Sequence, residues 1–367
     1  MKFGSVLSNL GADRLLDGVR ALSFSRAVSL ALGGRPNDAA RLLRFVLKTR
    51  PPRSIDERAS YILGSILAVQ GDFDGADAAF SRHAGLLPWA SNGSMANIRF
   101  NRSAHSADDI PLPRALSGFD QPIKDSAFVY FVSCDSRYAS LFARPLCESL
   151  RQNAPGGLLH LHVINPAPDA ERLIGELERG DDAVMITREV VDLQSLDALG
   201  RRSYYACSRF LLVPDLLRRY ARPMIVADAD QLVIGPLHHL FERGSDLNMI
   251  RFDHGVVNFF SLLSASVIVA QPTDRAVRYF DDVRRYIVDL FDGAAPVGWH
   301  ADQIALAVSL LRNKEIKFDP LPTAAMHSGG ADDVPPEETV FWSITYSIER
   351  NHKKLSAERF RKWSNPA

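Results

Sequence analysis

Residues 224–240 read MIVADADQLVIGPLHHL, and this stretch decides the fold class. An apolar run, Met224 to Ala227, ends in two carboxylates, Asp228 and Asp230, separated only by Ala229. A run rich in β-branched residues follows at once, then Gly235-Pro236. The pattern predicts a buried strand that delivers paired acids at its C-terminal end. In an α/β sheet, ligand crevices form outside that end. Two carboxylates at i and i+2 suit one hard divalent cation and leave positions open for phosphate oxygens. Handling a nucleoside diphosphate requires such a site. The plainer reading is a pair of turn residues closing a strand.

The flanking sequence supports a sheet. Apolar strands are expected at 127–135, 158–165 and 183–191, with helices at 141–153 and 170–179 between them. Pro145 is expected to kink the first helix or mark its first turn. SYYACSRFLLVPDLLRRY (203–220) reads as a helix broken or bent near Pro214. Strands alternating with helices imply a Rossmann-like, mostly parallel sheet covered on both faces. Beyond about residue 245 the pattern is mixed: strand-like LNMIRFD and LLSASVIVAQ, helices at 273–291 and 300–313, and a short strand in EIKFDPL. This α/β domain is expected over 125–350, with a tail at 351–367.

Residues 1–90 differ in character. Ala, Leu and Arg recur at helical spacing, and no strand-like run occurs. Leu63-Gly64, Gly71, Ala76, Phe80 and Pro88 stand at offsets that resemble a tetratricopeptide repeat. A weaker copy uses Ala27, Leu30, Gly34, Ala39, Leu43 and Pro51. The small residues let antiparallel helices approach, and the proline is expected to end the second helix. Two copies fall short of the roughly three repeats needed for independent stability, so a neighbouring segment must cover the open face. The module is expected either to bind a protein partner or to cap its neighbour. Residues 91–124, with prolines at 111, 113 and 122, are expected to be a linker.

Composition narrows the partners. The chain has 367 residues, 46 % of them hydrophobic, enough for a sizeable core. Its 43 basic and 43 acidic side chains cancel, which argues against nucleic acid as the main partner. Cys134, Cys147 and Cys207 lack metal-type spacing, and free thiols imply a reducing compartment. The N-terminus has no long apolar core of a signal peptide, and the apolar stretch at 259–270 is too short to span a bilayer. A cytoplasmic protein is expected, with peripheral membrane association left open.

RFLLVPDLLRRYARPMIVADADQLVIGPLHHLF resembles glycosyltransferase family 8, retaining enzymes of the GT-A fold that use nucleotide-sugar donors. The resemblance extends over roughly 126–345 and is specific around 205–241. It implies a metal-dependent hexosyltransferase, with Mn²⁺ or Mg²⁺ held by Asp228, Asp230 and His327. It implies that Asp135 and Tyr138 of CDSRY recognise the nucleotide base, the Tyr ring stacking on it. The plainer alternative is Asp135 as a helix cap and Tyr138 as packing. Arg209 stands where the family has an Arg that reaches the diphosphate and the first motif acid, a bridge that suits a guanidinium better than an ammonium. Asp302-Gln303 matches an Asp-Gln at a helix start that lines the donor sugar and the reacting centre.

The chain also departs from the family. Leu263-Ser264-Ala265-Ser266-Val267 replaces the usual Phe-Asn-(Ala/Ser)-Gly-Val, leaving Ser264 and Ser266 as the donor-sugar contacts. Gly329-Gly330 follow His327, but Lys-Pro-Trp does not. A UDP-sugar is the expected donor. The acceptor, whether a glycan, a lipid-linked sugar or a protein, is not specified, and polysaccharide biosynthesis is the expected setting. The alternative is a non-catalytic adaptor with a degenerate nucleotide- or glycan-binding domain. A nucleotidyltransferase would need a glycine-rich basic phosphate loop, which VSCDSRYASLF does not offer. His160 and His162 share a strand face but are expected to pack rather than chelate, and His238-His239 are expected to be structural.

Overall fold

The computed structural model describes residues 3–83, 85–101, 116–252, 256–293, 295–327 and 337–343, with side chains from residue 16 onward. Gly329, Gly330, the prolines at 111 and 113 and the tail 351–367 lie outside the described residues. The chain divides into two compact units. The first comprises Met1–Ser103, Phe252–Leu263 and Asp292–Arg312; the second comprises Ala104–Arg251, Ser264–Phe291 and Asn313–Ala367.

The first unit begins with helices α1 (Phe3–Leu32), α2 (Pro36–Lys48), α3 (Arg53–Gln70) and α4 (Phe73–Phe80). Gly71 ends α3 at φ +81°, a left-handed turn that glycine makes without a Cβ clash. Asp72 then caps α4, its carboxylate accepting the Gly75 N–H at 3.0 Å. A Cβ on Gly64 would lie 2.7 Å from the Phe80 ring, so the close approach read from the small residues is real. The second helix, however, ends at Phe80, well before Pro88, which sits in a 3₁₀ turn over Pro88–Ala90. Proline does not stop that helix.

The core of this unit draws on segments far apart in sequence. Tyr61, 1 % exposed, donates its hydroxyl to Asn258 Oδ1 at 2.9 Å and accepts the Phe260 N–H at 2.8 Å. Phe80 and Phe100 pack on Phe259. Short strands β1 (Leu86–Leu87) and β2 (Gly93–Ser94) pair, and Asn97 Oδ1 accepts the Gly298 N–H at 2.8 Å. The first part of the expected linker, 91–101, is thus structured within this unit. So are the described residues of two segments expected within the α/β domain, 256–263 and 295–312. They supply aromatic rings and backbone groups to a helical layer too small to bury itself.

The second unit contains β3 (Leu116–Ser117), β4 (Phe128–Asp135), α5 (Ser136–Asn153), β5 (Gly157–Ile164), α6 (Pro168–Gly180), β6 (Val184–Glu189), α7 (Ala198–Tyr220), β7 (Met224–Ala227), β8 (Gln231–Val233), α8 (His238–Phe241), β9 (Leu247–Arg251) and β10 (Leu263–Ala270). Then follow α9 (Asp274–Asp292), α10 (Ala301–Arg312, in the first unit), β11 (Met326–His327) and β12 (Phe341–Ser343). The main sheet has seven strands in the order β3-β6-β5-β4-β7-β10-β9. Strands β6, β5, β4 and β7 run parallel; β3 is antiparallel to β6, and β10 is antiparallel to β7. Strands β5 and β7 are buried at every position, as expected for strands covered on both faces. Helix α7 covers the face of His160, whereas α5 lies beyond Leu159 on the other.

Two expectations need correction. Helix α7 is not broken at Pro214, and Pro145 lies inside α5 rather than in its first turn. Each proline removes one intrahelical bond, and buried neighbours such as Phe142, Leu146, Phe210 and Leu217 keep both sides seated. EIKFDPL forms no strand; it contributes only the isolated parallel bridges Leu247↔Phe318 and Ile250↔Leu321 beside β9. A second sheet, β11-β12-β8, had no counterpart in the sequence reading. Among the described residues no helix is long and apolar enough to cross a membrane. All three cysteines are free and buried.

Candidate active site

The acidic turn lies where the two sheets part. Strand β7 pairs with β4 on one side and β10 on the other. Asp228 extends the second ladder by one bond, its N–H donating to the Ser266 carbonyl at 3.0 Å. Ala229 and Asp230 then turn the chain, and β8 leaves to pair with β12. The Asp228 side chain stays 35 % exposed, while Asp230 is 5 % exposed. The expected strand with paired acids at its C-terminal end is present.

Arg209 reaches this turn from α7. Its guanidinium is 4 % exposed, donates through Nη1 to Asp228, and donates through Nη2 to the Ala265 carbonyl at 3.0 Å. One planar fork therefore ties the first acid to the backbone of β10. Lysine, a point charge, could not span both acceptors.

Asp135 ends β4 and caps α5, its Oδ1 accepting the Tyr138 N–H at 2.7 Å. The capping role is therefore real, and it seats Tyr138. That ring packs on Phe142, Leu232 and Trp342. Burial pushes the Tyr138 hydroxyl up to about 12, helped by the negative charges of Asp230, Asp135 and Asp228 and opposed by Arg202. Tyr138 and the three carboxylates thus share one electrostatic neighbourhood at the C-terminal edge of the sheet.

Ser264 and Ser266 lie two apart on β10 and share a face. Their hydroxyl oxygens are 2.5 Å apart, and Ser266 Oγ also donates to Met326 Sδ at 3.0 Å. Gln231, the residue after Asp230, donates to the same sulfur at 3.7 Å. His327 follows Met326 and pairs with Trp342, which in turn pairs with Leu232, so the second sheet carries His327 on the Tyr138 side. The buried Nε2 of His327 has no partner among the described residues.

Two acceptor-only carboxylates and an orphaned buried imidazole nitrogen are donor types that a divalent cation takes. Among the described residues no three His, Cys, Asp or Glu side chains are gathered as a metal-binding group.

Asp302 and Gln303 belong to the other unit, in the first turn of α10. Asp302 is buried and its Oδ1 accepts the Gln303 N–H at 2.8 Å. Sequence reasoning missed Met326, Gln231 and Trp342 around the serines and Tyr138. The apolar run Val340-Phe341-Trp342 is too short to mark β12 by alternation, and its pairing with β8 joins residues far apart in sequence.

No protein-family model matches this chain, and no curated protein matches it. Among solved structures it is similar to the apo form of the bifunctional glycosyltransferase WbbM, with a TM-score of 0.46 and 16 % identity over 67 % of this chain and 51 % of that one. It is similar to apo glycosyltransferase GlyE of Streptococcus pneumoniae, with a TM-score of 0.41 and 14 % identity over 64 % of this chain and 60 % of that one. A third is the galactosyltransferase LgtC in complex with donor and acceptor sugar analogs, with a TM-score of 0.44 and 13 % identity over 65 % of this chain and 95 % of that one. The chain spans about half the length of WbbM. At these identities and TM-scores the likenesses assign neither a family nor an activity.

Proposed function

We propose that this chain is a metal-dependent glycosyltransferase that moves a sugar from a nucleotide diphosphate sugar, a UDP-sugar in our reading, to an acceptor hydroxyl with retained configuration. The observation that carries the reading is the Asp228–Asp230 turn at the C-terminal end of β7, with the Arg209 guanidinium bound to its first acid. Asp228, Asp230 and His327 would hold Mn²⁺ or Mg²⁺, which when bound supplies Lewis-acid neutralisation of the leaving diphosphate.

The chain's own residues do the rest. Arg209 adds a fixed positive charge where the leaving phosphate gathers electrons. The bond from the anomeric carbon to the phosphate oxygen breaks, its electron pair leaving with the nucleoside diphosphate. The acceptor hydroxyl oxygen bonds to that carbon and its proton passes to the departing phosphate. Charge develops on the sugar ring as at other glycosidic centres. Asp135 and Tyr138 take the base, and Ser264 and Ser266 the sugar hydroxyls. The N-terminal helices act as a tetratricopeptide-like protein-binding module, and the three free thiols fit a cytoplasmic setting.

A second reading is a non-catalytic adaptor that recognises a nucleotide or glycan. The observation favouring it is that Ser264 and Ser266 bond each other and Met326 rather than standing open. A thermal-shift screen of UDP-sugars with and without Mn²⁺, followed by a donor-hydrolysis assay, separates the two. Mn²⁺-dependent stabilisation with hydrolysis supports the enzyme. Stabilisation without hydrolysis supports the adaptor. No stabilisation by any UDP-sugar removes the enzyme and the nucleotide-binding form of the adaptor.

A further inference from the structure

Under α7, five side chains form one buried hydrogen-bonded chain, and a sixth closes it. Tyr220 OH lies 2.9 Å from His160 Nδ1; His160 Nε2 lies 3.0 Å from Thr187 Oγ1; Thr187 Oγ1 lies 3.0 Å from His162 Nδ1. His162 Nε2 lies 3.0 Å from Glu189 Oε2, and Tyr204 OH donates to Glu189 Oε1 at 2.9 Å. His160, His162, Thr187 and Glu189 are each no more than 2 % exposed. The register of β5 on β6 aligns them: His162 stands opposite Thr187, and Ile164 opposite Glu189.

Tyr220 OH donates in turn to Met185 Sδ at 3.0 Å, so the chain runs from Met185 under one end of α7 to Tyr204 near the other. Each side chain between them meets a hydrogen-bonding partner on both sides. Burial lowers His160 to about 3 and holds that ring neutral.

Burying such a network costs desolvation that an apolar packing would avoid. A fully satisfied network offers rigidity and one arrangement in return. It grips α7 near both ends, at Tyr204 and Tyr220, while Ser208 Oγ bonds Ser133 Oγ of β4 at 2.8 Å. Arg209 is the next residue. A slip of α7 by one residue would move it about 1.5 Å along the axis and turn it by about 100°, beyond the roughly 0.5 Å that a working site tolerates.

We propose that Tyr204 and Glu189 are positioning residues: through this chain they set the place of α7, so that the Arg209 fork meets both Asp228 and the Ala265 carbonyl. The anchoring stands by itself; its effect on donor binding rests on the proposed function.

The test is a double-mutant cycle of Tyr204→Phe and Arg209→Lys on the full chain, with UDP plus Mn²⁺ as the probe and hydrogen exchange of the ligand-free protein as a second readout. Tyr204→Phe is expected to speed amide exchange across residues 205–211 and to weaken UDP binding roughly 10-fold, as for loss of one hydrogen bond to a charged group. If Tyr204 acts through Arg209, its penalty shrinks to within about 2-fold in the Arg209→Lys background. An equal penalty in both backgrounds, or unchanged exchange over 205–211, overturns the proposal. Should the unmutated protein not bind UDP with Mn²⁺, the functional reading fails while the exchange readout still decides the anchoring. Where Tyr204→Phe does not fold, Glu189→Gln takes its place with the same expectations.

Discussion

Asp228→Asn tests the ion pair and the metal role in one protein. The substitution removes one negative charge and keeps the size and one carbonyl acceptor. Arg209, 4 % exposed, then keeps its bond to Ala265 and exchanges an ion pair for a bond from the charged guanidinium to a neutral amide oxygen. Breaking a buried ion pair costs about 3–5 kcal/mol and an exposed one about 0–1. The Asp228 side chain is 35 % exposed and Arg209 keeps an acceptor, so a cost of about 1–2 kcal/mol is expected. For a unit of this size that lowers the melting temperature by roughly 2–8 °C. The pairing with Arg209 makes the substitution mildly destabilising. With UDP and Mn²⁺ at about 100 times Kd, the unmutated protein gains about 2.7 kcal/mol, and Asp228→Asn should gain almost none. The assay is differential scanning fluorimetry with each component added alone and together. An undiminished Mn²⁺-dependent shift in the variant refutes the metal assignment. An unchanged melting temperature without ligand refutes the stabilising role of the Arg209 pair.

Three further outcomes follow from buried groups. Tyr61→Phe strands the Asn258 Oδ1 and the Phe260 N–H that the hydroxyl now satisfies; a loss of about 1–3 kcal/mol should appear in urea denaturation, and none would mean that the 256–263 segment is not held by that hydroxyl. Gly64→Ala drives a methyl into the Phe80 ring, which Tyr61 and Phe259 pack against; overpacking of about 1–3 kcal/mol is expected, and a neutral midpoint would show that the helices can part. His160 titrates near 3 when folded against 6.5 when free, so the unfolded chain binds a proton that the folded chain refuses between those values. Its contribution is fully present above 6.5 and is lost as the pH falls toward 3, by up to about 1.4 kcal/mol per pH unit. His160→Gln should flatten the urea midpoint between about pH 7.5 and about pH 5.5, and parallel slopes for the two proteins would refute it.

The site was only partly legible in the sequence. Asp228, Asp230, Arg209 and Asp135 lie within a local pattern: strand, acid pair, helix with one Arg, cap. A local pattern fixes which residues end an element, because side-chain period and capping chemistry are short-range. Met326 and Trp342 carry no such signal. Their strands are two and three residues long, too short for alternation to show. Pro145 and Pro214 misled for the converse reason: a local breaker is overridden when buried neighbours on both sides hold the helix in place.

Composition and periodicity by themselves determined an α/β chain with a helical N-terminal region, a parallel sheet and an acid pair at the end of one strand. They did so because a strand buried on both faces and an amphipathic helix each write their environment into adjacent residues. Tertiary structure alone decided that 91–101, 256–263 and 295–312 join the N-terminal helices, and that β8 leaves the main sheet for β12. It alone assembled the His160–His162–Glu189 chain and closed the Arg209 fork on Asp228 and Ala265. These pairings join residues far apart in sequence, where the gain comes from burying particular partners together and no single segment encodes it.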